Sequence, residues 1–212
     1  MGRVSSAATP KGERRRMALV EAAADLMLEG GFEAVRHRAV AQRACLPLAS
    51  TTYYFDSLDD LIARAVELSG SREMDAMRAR IDRITQADRD SAAVVELIIE
   101  LLVGPIEGVT REHLIARYEC FIASARHPQL HEVQKRLRVQ FDDALGEVLR
   151  RSGRQVRQEG LRRLICVVDG AIVGALSESD PDPEKLAREM LSDVIEVAAP
   201  PLPPLPPEEP EL

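Results

Sequence analysis

The sequence predicts an all-α fold of about nine helices, arranged as an N-terminal three-helix head and a larger helical body. Apolar residues recur at three-to-four spacing along most of the chain, and no stretch alternates with period two for the length of a strand. Aromatic residues make up only 3% of the 212 residues and Trp is absent, so the core must be aliphatic. An aliphatic core favours helices over a sandwich of strands.

The head is expected to contain one long helix and two short ones. The first begins near Lys11 and ends at Gly30, because glycine commonly terminates helices. A second short helix covers residues 36–44. A third covers residues 47–54, where Pro47 suits the first turn of a helix.

The body follows with helical patterns separated by proline and glycine breaks. These patterns cover residues 59–84, 90–103, 111–126, 128–151, 155–178 and 183–198. The predicted organisation is a disordered arm at 1–10, the head at 11–56, the body at 57–199 and a proline-rich disordered tail at 200–212.

The net charge of −7 is distributed unevenly. Residues 1–56 hold eight Lys or Arg and six Asp or Glu, whereas the remaining residues hold twenty and twenty-nine. A cationic head on an acidic body indicates local attraction to an anion. The alternative is a basic segment that is merely solvated.

Two short helices behind a longer one have the dimensions of a helix-turn-helix motif. The second of them, within LPLASTTYYF (46–55), is a poor helix former by propensity and is rich in hydroxyl groups. Hydroxyl groups bond to phosphates and base edges in a major groove, and Thr methyl groups contact thymine. The expected DNA-facing residues are Leu48, Ala49, Ser50, Thr51, Thr52, Tyr53 and Tyr54.

Basic side chains near this motif are expected to contact the phosphates on either side. They are Lys11, Arg14, Arg15, Arg16, Arg36, Arg38 and Arg43. The alternative for the aromatic end of the motif is that Tyr53, Tyr54 and Phe55 cap a small core. We expect Phe55 to do so and the two tyrosines to face DNA.

Residues 14–62 resemble the DNA-binding domain of the TetR family of bacterial one-component repressors. The resemblance runs through the first helix, GGFEAV (30–35), VAQRACLPLASTTYYF (40–55) and SLDDLI (57–62). It implies a cytoplasmic homodimer that binds a palindromic double-stranded DNA operator and is released by a small-molecule effector.

The sequence departs from the family pattern at three positions. Arg36 stands where the family often has Thr, and Cys45 stands in the turn where Gly is usual. Leu58 replaces a frequent Lys and removes one expected phosphate contact.

The resemblance also implies that the last two helices form the dimer interface. Small residues four apart in the penultimate helix permit close helix approach, and the last helix carries an apolar stripe. The expected interface residues are Gly170, Gly174, Leu186, Met190, Leu191 and Val194. A role in the core of a single chain competes for each of them.

By the same resemblance, residues 90–151 are expected to enclose a cavity for a lipophilic effector. The candidates are polar or aromatic residues on otherwise apolar faces: Glu96, Glu100, His113, Arg117, Tyr118, Phe121 and Phe141. A buried carboxylate would favour a cationic ligand, but both glutamates can instead face solvent.

Two other functions compete with DNA binding. A helical enzyme is disfavoured because the sequence has no phosphate loop, GxSxG or HExxH, and Pro128 interrupts the His127–His131 pair. A thiol-based redox regulator would use Cys45, Cys120 or Cys166, of which Cys45 lies near Arg43. No metal or cofactor is expected. No membrane span is expected either, since the apolar runs 94–103 and 164–176 are short and contain acidic residues.

Overall fold

The computed structural model describes residues 9–84, 90–104, 110–178 and 182–203. Within these ranges the chain is all-helical, with 82% helix and no strands, which confirms the predicted fold class. The nine α-helices of the described residues are α1 (Pro10–Ala34), α2 (His37–Arg43), α3 (Ala49–Tyr54), α4 (Leu58–Ile81), α5 (Ser91–Val103), α6 (Arg111–Ser124), α7 (His131–Arg151), α8 (Gln158–Ser177) and α9 (Pro183–Ala198). A short 3-10 helix, Pro128–Leu130, precedes α7. Most of the expected arm (1–10) and of the expected tail (200–212) lies outside the described residues.

The chain divides into two compact units. The first combines residues 1–77 with 107–141, and the second combines residues 78–106 with 142–212. The first unit therefore holds α1 to α3, most of α4, all of α6 and the start of α7. The second holds α5, α8, α9 and the end of α7.

The core of the first unit is aliphatic, as the composition predicts. Leu19 and Ala23 of α1 are fully buried one turn apart, and they belong to the same cluster as Val40 of α2 and Leu61 of α4. Phe55, directly after α3, is buried in this cluster, where we expected it. The cluster therefore joins α1, α2 and the end of α3 to the start of α4.

The predicted end of the first helix is a break in its backbone. Gly30 and Gly31 have non-helical dihedrals, and Gly31 has a φ of +65°, a conformation that costs glycine little. The chain then continues in helical hydrogen bonding to Ala34. The ring of Phe32, beyond the break, stacks on the ring of His127 with centroids 5.4 Å apart.

The turn between α2 and α3 confirms that a side chain is tolerated where the family usually has Gly. Cys45 has a φ of +52°, and it is the one non-glycine residue with positive φ among the described residues. The turn is closed by backbone bonds from Cys45 N–H to Gln42 O at 3.1 Å and from Leu46 N–H to Ala41 O at 2.9 Å. The Cys45 side chain is exposed, so the strain is in the backbone alone.

The second unit packs α5 and α8 against α9. Fully buried side chains line this packing, among them Ile98 of α5, Leu164 and Ile172 of α8, and Leu191 and Ile195 of α9. None of the described helices has the length and apolarity needed to cross a membrane.

Candidate nucleic-acid interface

The third helix begins two residues later than predicted. It starts at Ala49, with Leu48 as a cap residue that makes no side-chain cap bond. Two threonine hydroxyls donate hydrogen bonds to backbone carbonyls instead. Thr51 Oγ1 donates to Leu48 O at 2.8 Å, and Thr52 Oγ1 donates to Ala49 O at 3.3 Å. These local bonds satisfy both hydroxyl donors within the helix.

The prediction that Thr51 faces DNA is wrong. Its side chain is 0% exposed, and its hydroxyl is already bonded to the backbone. A buried side chain cannot reach a base edge or a phosphate. Thr51 is therefore part of the head's core.

The other predicted residues of α3 are accessible to differing extents. Tyr53 is 61% exposed, and Leu48, Ala49 and Thr52 are also exposed. Ser50 and Tyr54 are half-buried. The rings of Tyr53 and Tyr54 meet edge to face with centroids 4.8 Å apart, which fixes their directions.

A groove of about 480 Å³ lies between α3 and the start of α1. Its lining residues are Thr9, Lys11, Gly12, Arg15, Ala49, Ser50, Tyr53 and Tyr54. Sequence reasoning did not assign Thr9 or Gly12 to this site. The signal was present in the Thr-Pro pair at positions 9 and 10, which is typical of a helix start.

Thr9 fixes the first turn of α1 beside this groove. Its Oγ1 accepts a hydrogen bond from Gly12 N–H at 3.1 Å, and Pro10 occupies the first helical position. The helix therefore presents Lys11 and Arg15, which are both exposed, along the groove.

Several arginines of the head are held by neighbouring glutamates. Arg16 pairs with Glu13 at 2.9 Å, and Arg36 pairs with Glu33 at 3.0 Å. The hydrogen bond from Arg16 lowers the pKa of Glu13 and raises the pKa of Arg16. Arg15 and Arg38 are exposed and have no ion-pair partner among the described residues, and Arg14 donates to Pro10 O at 3.2 Å.

The start of α4 accounts for Leu58 in place of the usual Lys. Ser57 Oγ accepts a hydrogen bond from Asp60 N–H at 3.0 Å, which caps the start of α4. Leu58 is half-buried and packs against the core of the first unit. Its contribution is therefore to packing, and no phosphate contact is expected from it.

Five of the seven predicted effector residues lie in the first unit. Arg117 and Tyr118 surround Phe121: the Arg117 guanidinium is 5.8 Å from the Phe121 ring centroid, and the Tyr118 ring is 6.0 Å from it. Phe121 is exposed and Phe141 is half-buried. His113 is exposed, and its Nδ1 accepts a hydrogen bond from Thr110 N–H at 3.4 Å, so its ring caps α6.

The remaining two, Glu96 and Glu100, lie in the second unit. Arg188 Nε donates to Glu96 at 2.5 Å, and Arg80 Nε lies 3.1 Å from Glu100. Both carboxylates are half-buried and ion-paired. A cationic ligand would therefore have to displace an arginine.

Most of the predicted dimer residues are accessible. Met190 and Gly170 are exposed, while Gly174, Leu186 and Val194 are half-buried. A Cβ placed on Gly170 or Gly174 meets no atom within 4 Å, so this face of α8 is open.

The prediction that Leu191 lies in the dimer interface is wrong. Its side chain is 0% exposed within the chain's own helices. Sequence reasoning missed Val173, which is an exposed large apolar residue of α8. It follows Gly170 by three residues, so helical spacing places the two on one face.

The thiols and histidines do not form a metal site within the part of the chain that the structure describes. No three His, Cys, Asp or Glu side chains lie close enough there to hold a metal ion. Burial raises the pKa of Cys120 to about 12, so its thiol is a poor nucleophile. Cys45 and Cys166 are exposed.

The relatives of this chain are transcriptional regulators. The HTH-type transcriptional regulator PksA of Bacillus subtilis (strain 168) is 26% identical over 192 residues, which cover 86% of this chain and 87% of PksA. The HTH-type nicotine-responsive transcriptional repressor HdnoR of Paenarthrobacter nicotinovorans is 23% identical over 175 residues, which cover 79% of this chain and 87% of HdnoR.

Solved structures and a family model agree with these relatives. The crystal structure of the multidrug binding protein EbrR complexed with ethidium has a TM-score of 0.64 and 28% identity, and the match covers 85% of this chain and 98% of EbrR. Residues 89–197, just over half of the chain, match the model of the tetracyclin repressor-like C-terminal domain. The chain therefore belongs to the TetR family of transcriptional regulators.

Proposed function

We propose that this protein is a cytoplasmic homodimeric repressor that binds a palindromic DNA operator and is released by a small lipophilic effector. Family membership supports the class of function. The observation that carries the proposal is the exposed face of α3 beside a groove lined by Lys11 and Arg15. This combination places a short polar helix and fixed cations on one surface.

The exposed face of α3 has the chemistry of a recognition helix. Tyr53 carries its hydroxyl group on a largely exposed ring, and small Ala49 permits close approach to a duplex. Leu48 offers an apolar surface to thymine methyl groups. These three side chains are exposed, so no rearrangement is needed for contact.

The cations beside α3 are suited to phosphates. Lys11 and Arg15 line the groove, and Arg38 is exposed on α2. Arg16 and Arg36 are paired with glutamates, but these pairs are solvent-exposed and therefore weak. An incoming phosphate can replace either glutamate at little cost, and each cation that contacts a phosphate steepens the salt dependence.

Dimerisation through α8 and α9 doubles the number of DNA contacts. Gly170 and Val173 on α8, with Met190 on α9, form accessible apolar surface that a monomer would leave in water. A two-fold related copy would cover it with the same surface and present two α3 helices to two half-sites.

The effector proposal rests on the aromatic cluster of α6. Tyr118 and Phe121 offer flat surfaces, as a planar ligand would require. EbrR has been crystallised with ethidium, and HdnoR is nicotine-responsive. A ring-containing effector that binds more tightly to the DNA-free conformation would shift the equilibrium away from DNA.

Fluorescence anisotropy with labelled DNA from upstream of the protein's own gene tests the DNA-binding proposal. We expect specific binding. The logarithm of the binding constant should fall with the logarithm of salt concentration, with a slope of about −0.9 for each phosphate contact. Tyr53→Ala should weaken it by about tenfold or more, whereas Val139→Ala, an exposed apolar truncation on α7, should not. A DNA affinity that changes neither with Tyr53→Ala nor with salt concentration would exclude the proposal.

Ethidium fluorescence tests the effector proposal on the protein without DNA, because ethidium itself intercalates. We expect saturable binding that Phe121→Ala weakens.

Analytical ultracentrifugation tests the dimer separately: Gly170→Glu with Gly174→Glu should yield a folded monomer. A monomeric wild-type protein at micromolar concentration would exclude the dimer.

A further inference from the structure

The second unit carries an arginine-rich segment inside an otherwise acidic body. Residues 148–163 contain six Arg and one Glu, in a chain whose net charge is −7. Arg154 is buried, whereas Arg157, Arg162 and Arg163 are exposed around the first two turns of α8. We call these three the arginine surface.

The arginine surface is not neutralised by the rest of the described chain. None of its three side chains has an ion-pair partner among the described residues, although Arg150 and Arg151 on the same segment both contact Glu147. Glu159 is exposed beside it. The surface therefore keeps a local charge of about +2.

Arg157 and Arg163 line a groove of about 260 Å³. Val197, which is 77% exposed, and Pro200 supply its apolar side. Gly160 packs against the end of α9, where a Cβ would lie 2.2 Å from Ala198 O. A suitable occupant offers apolar side chains to Val197 and carboxylates to the arginines.

The chain beyond α9 is fixed at this groove. Pro200 O accepts a hydrogen bond from Gln155 N–H at 2.8 Å, and Leu202 N–H donates to Gly153 O at 2.8 Å. The buried guanidinium of Arg154 donates to Ala199 O at 2.9 Å. The following segment therefore starts from a fixed point beside the arginine surface.

We propose that residues 204–212 bind the arginine surface through Glu208, Glu209 and Glu211. This segment, PLPPEEPEL, has three glutamates, two leucines and no basic residue. At about 3 Å per residue its glutamates lie within about 15 to 25 Å of Pro203, which is enough to turn back to the groove. Tethering supplies an effective concentration of about millimolar, so individually weak ion pairs suffice.

Binding of the segment would neutralise the arginine surface. DNA phosphates would then be attracted to the head alone. The contact is independent of operator binding, so its failure would leave the proposed function intact.

Amide NMR spectra of the full-length protein test this contact. The variant Glu208→Gln, Glu209→Gln, Glu211→Gln keeps the chain length and removes the charge. We expect it to shift the amide signals of Arg157, Arg163 and Val197, and high salt should reproduce the shift in the wild type. The matched control, Glu112→Gln with Glu132→Gln and Glu189→Gln, removes three exposed charges elsewhere and should leave these signals in place.

A charge swap supplies the second test. Arg157→Glu with Arg163→Glu should shift the amide signal of Val197 as the glutamine variant does, and adding Glu208→Arg with Glu209→Arg should return that signal toward its wild-type position. Unchanged amide signals of Arg157, Arg163 and Val197 in the glutamine variant would overturn the proposal. Short duplex DNA that shifts the arginine-surface signals in the wild type would also overturn it, because the surface would then be open to nucleic acid.

Discussion

Glu29 on α1 and Arg43 on α2 form a two-pronged ion pair. Nη1 of Arg43 donates to Oε1 of Glu29 at 2.9 Å, and Nη2 donates to Oε2 at 2.6 Å. The pair lowers the pKa of Glu29 and raises the pKa of Arg43. It joins the first helix of the head to the end of the helix that precedes α3, and it holds a cation close to the proposed DNA surface.

Releasing Arg43 should strengthen nonspecific attraction to DNA. In Glu29→Gln the guanidinium loses its charged partner and becomes available to a phosphate, so the slope of log affinity against log salt should steepen by up to about one. Adding Arg43→Ala to Glu29→Gln should remove the increase, because the released guanidinium is then absent. Anisotropy across a salt series measures both, and equal slopes for the wild type and Glu29→Gln would contradict the prediction.

The arginine-bound carboxylates predict acid destabilisation. Hydrogen bonds from arginine lower the pKa of Glu29 and Glu147, and bonds from Ser91 and Arg154 lower that of Glu196. The unfolded state then binds more protons than the folded state below the ordinary pKa of 4.5. The free energy of unfolding should therefore fall as pH drops from about 5 through the lowered values.

Glu184 acts in the opposite direction. Burial raises its pKa, so its contribution is present at low pH and is lost as pH rises through the raised value. Denaturant unfolding across this pH range measures the sum. Glu29→Gln with Glu147→Gln and Glu196→Gln should flatten the acid limb, whereas Glu184→Gln should not. An unchanged limb in the triple variant would contradict the assignment.

Cys45→Gly should stabilise the protein. At a φ of +52° glycine avoids the steric cost that a side chain adds, about 1 kcal/mol, and its greater freedom in the unfolded chain offsets part of this gain. We expect a net gain of about 0.5 kcal/mol. The same substitution at Cys166, exposed within α8, should destabilise, since glycine is a poor helix former. Thermal unfolding compares the two, and destabilisation by both would contradict the strain argument.

Thr51 and Tyr53 should separate stability from DNA affinity. Thr51→Ala removes a buried hydroxyl that donates to Leu48 O, and we expect a loss of about 1 kcal/mol of stability with little change in operator affinity below the melting temperature. Tyr53→Ala should do the reverse, because its ring is largely exposed. A Thr51 variant that is stable but fails to bind DNA would contradict this division.

The sequence predicted the elements that local signals mark. The last helix was expected at 183–198 and spans Pro183–Ala198, because an Asp-Pro pair starts it and its apolar stripe continues without interruption. The break at Gly30 and the burial of Phe55 were likewise predictable. A Gly-Gly pair usually interrupts a helix, and a phenylalanine is usually buried in the core.

The direction of individual side chains was not predictable to the same degree. The expected DNA-facing set ran through every residue of α3, but residues about 100° apart cannot all face one way, and one side of the helix must pack on the head's core. Thr51 lies on that buried side. The prediction for Leu191 was wrong for a related reason. The apolar stripe on α9 is broad, and the position of α8 decides which edge of it is buried.

Pairs between distant residues were also beyond sequence reasoning. Glu96 and Arg188 are 92 residues apart, and neither carries a local signal for the other. The sequence alone does not determine whether Glu96 faces solvent or a cavity. The folded chain places an arginine there instead.

Arg154 supplies the largest stability prediction. Its side chain is 2% exposed, and it donates to Ala199 O at 2.9 Å, Ser91 Oγ at 2.6 Å and Glu196 Oε1 at 2.9 Å. Arg154→Ala would leave a buried carbonyl and a cavity. Removing one partner of a fully buried ion pair costs about 3 to 5 kcal/mol, but Glu196 is half exposed and can be hydrated, so we expect about 2 kcal/mol.

Two variants bound this effect. Arg157→Ala removes an exposed arginine three residues away that has no partner among the described residues, and it should change stability by less than about 0.5 kcal/mol. Glu196→Gln should cost less than Arg154→Ala, because Ser91 and Ala199 still accept from the guanidinium. Denaturant unfolding at neutral pH measures all three. If Arg154→Ala were no more destabilising than Arg157→Ala, Arg154 would not hold the segment after α9 in place.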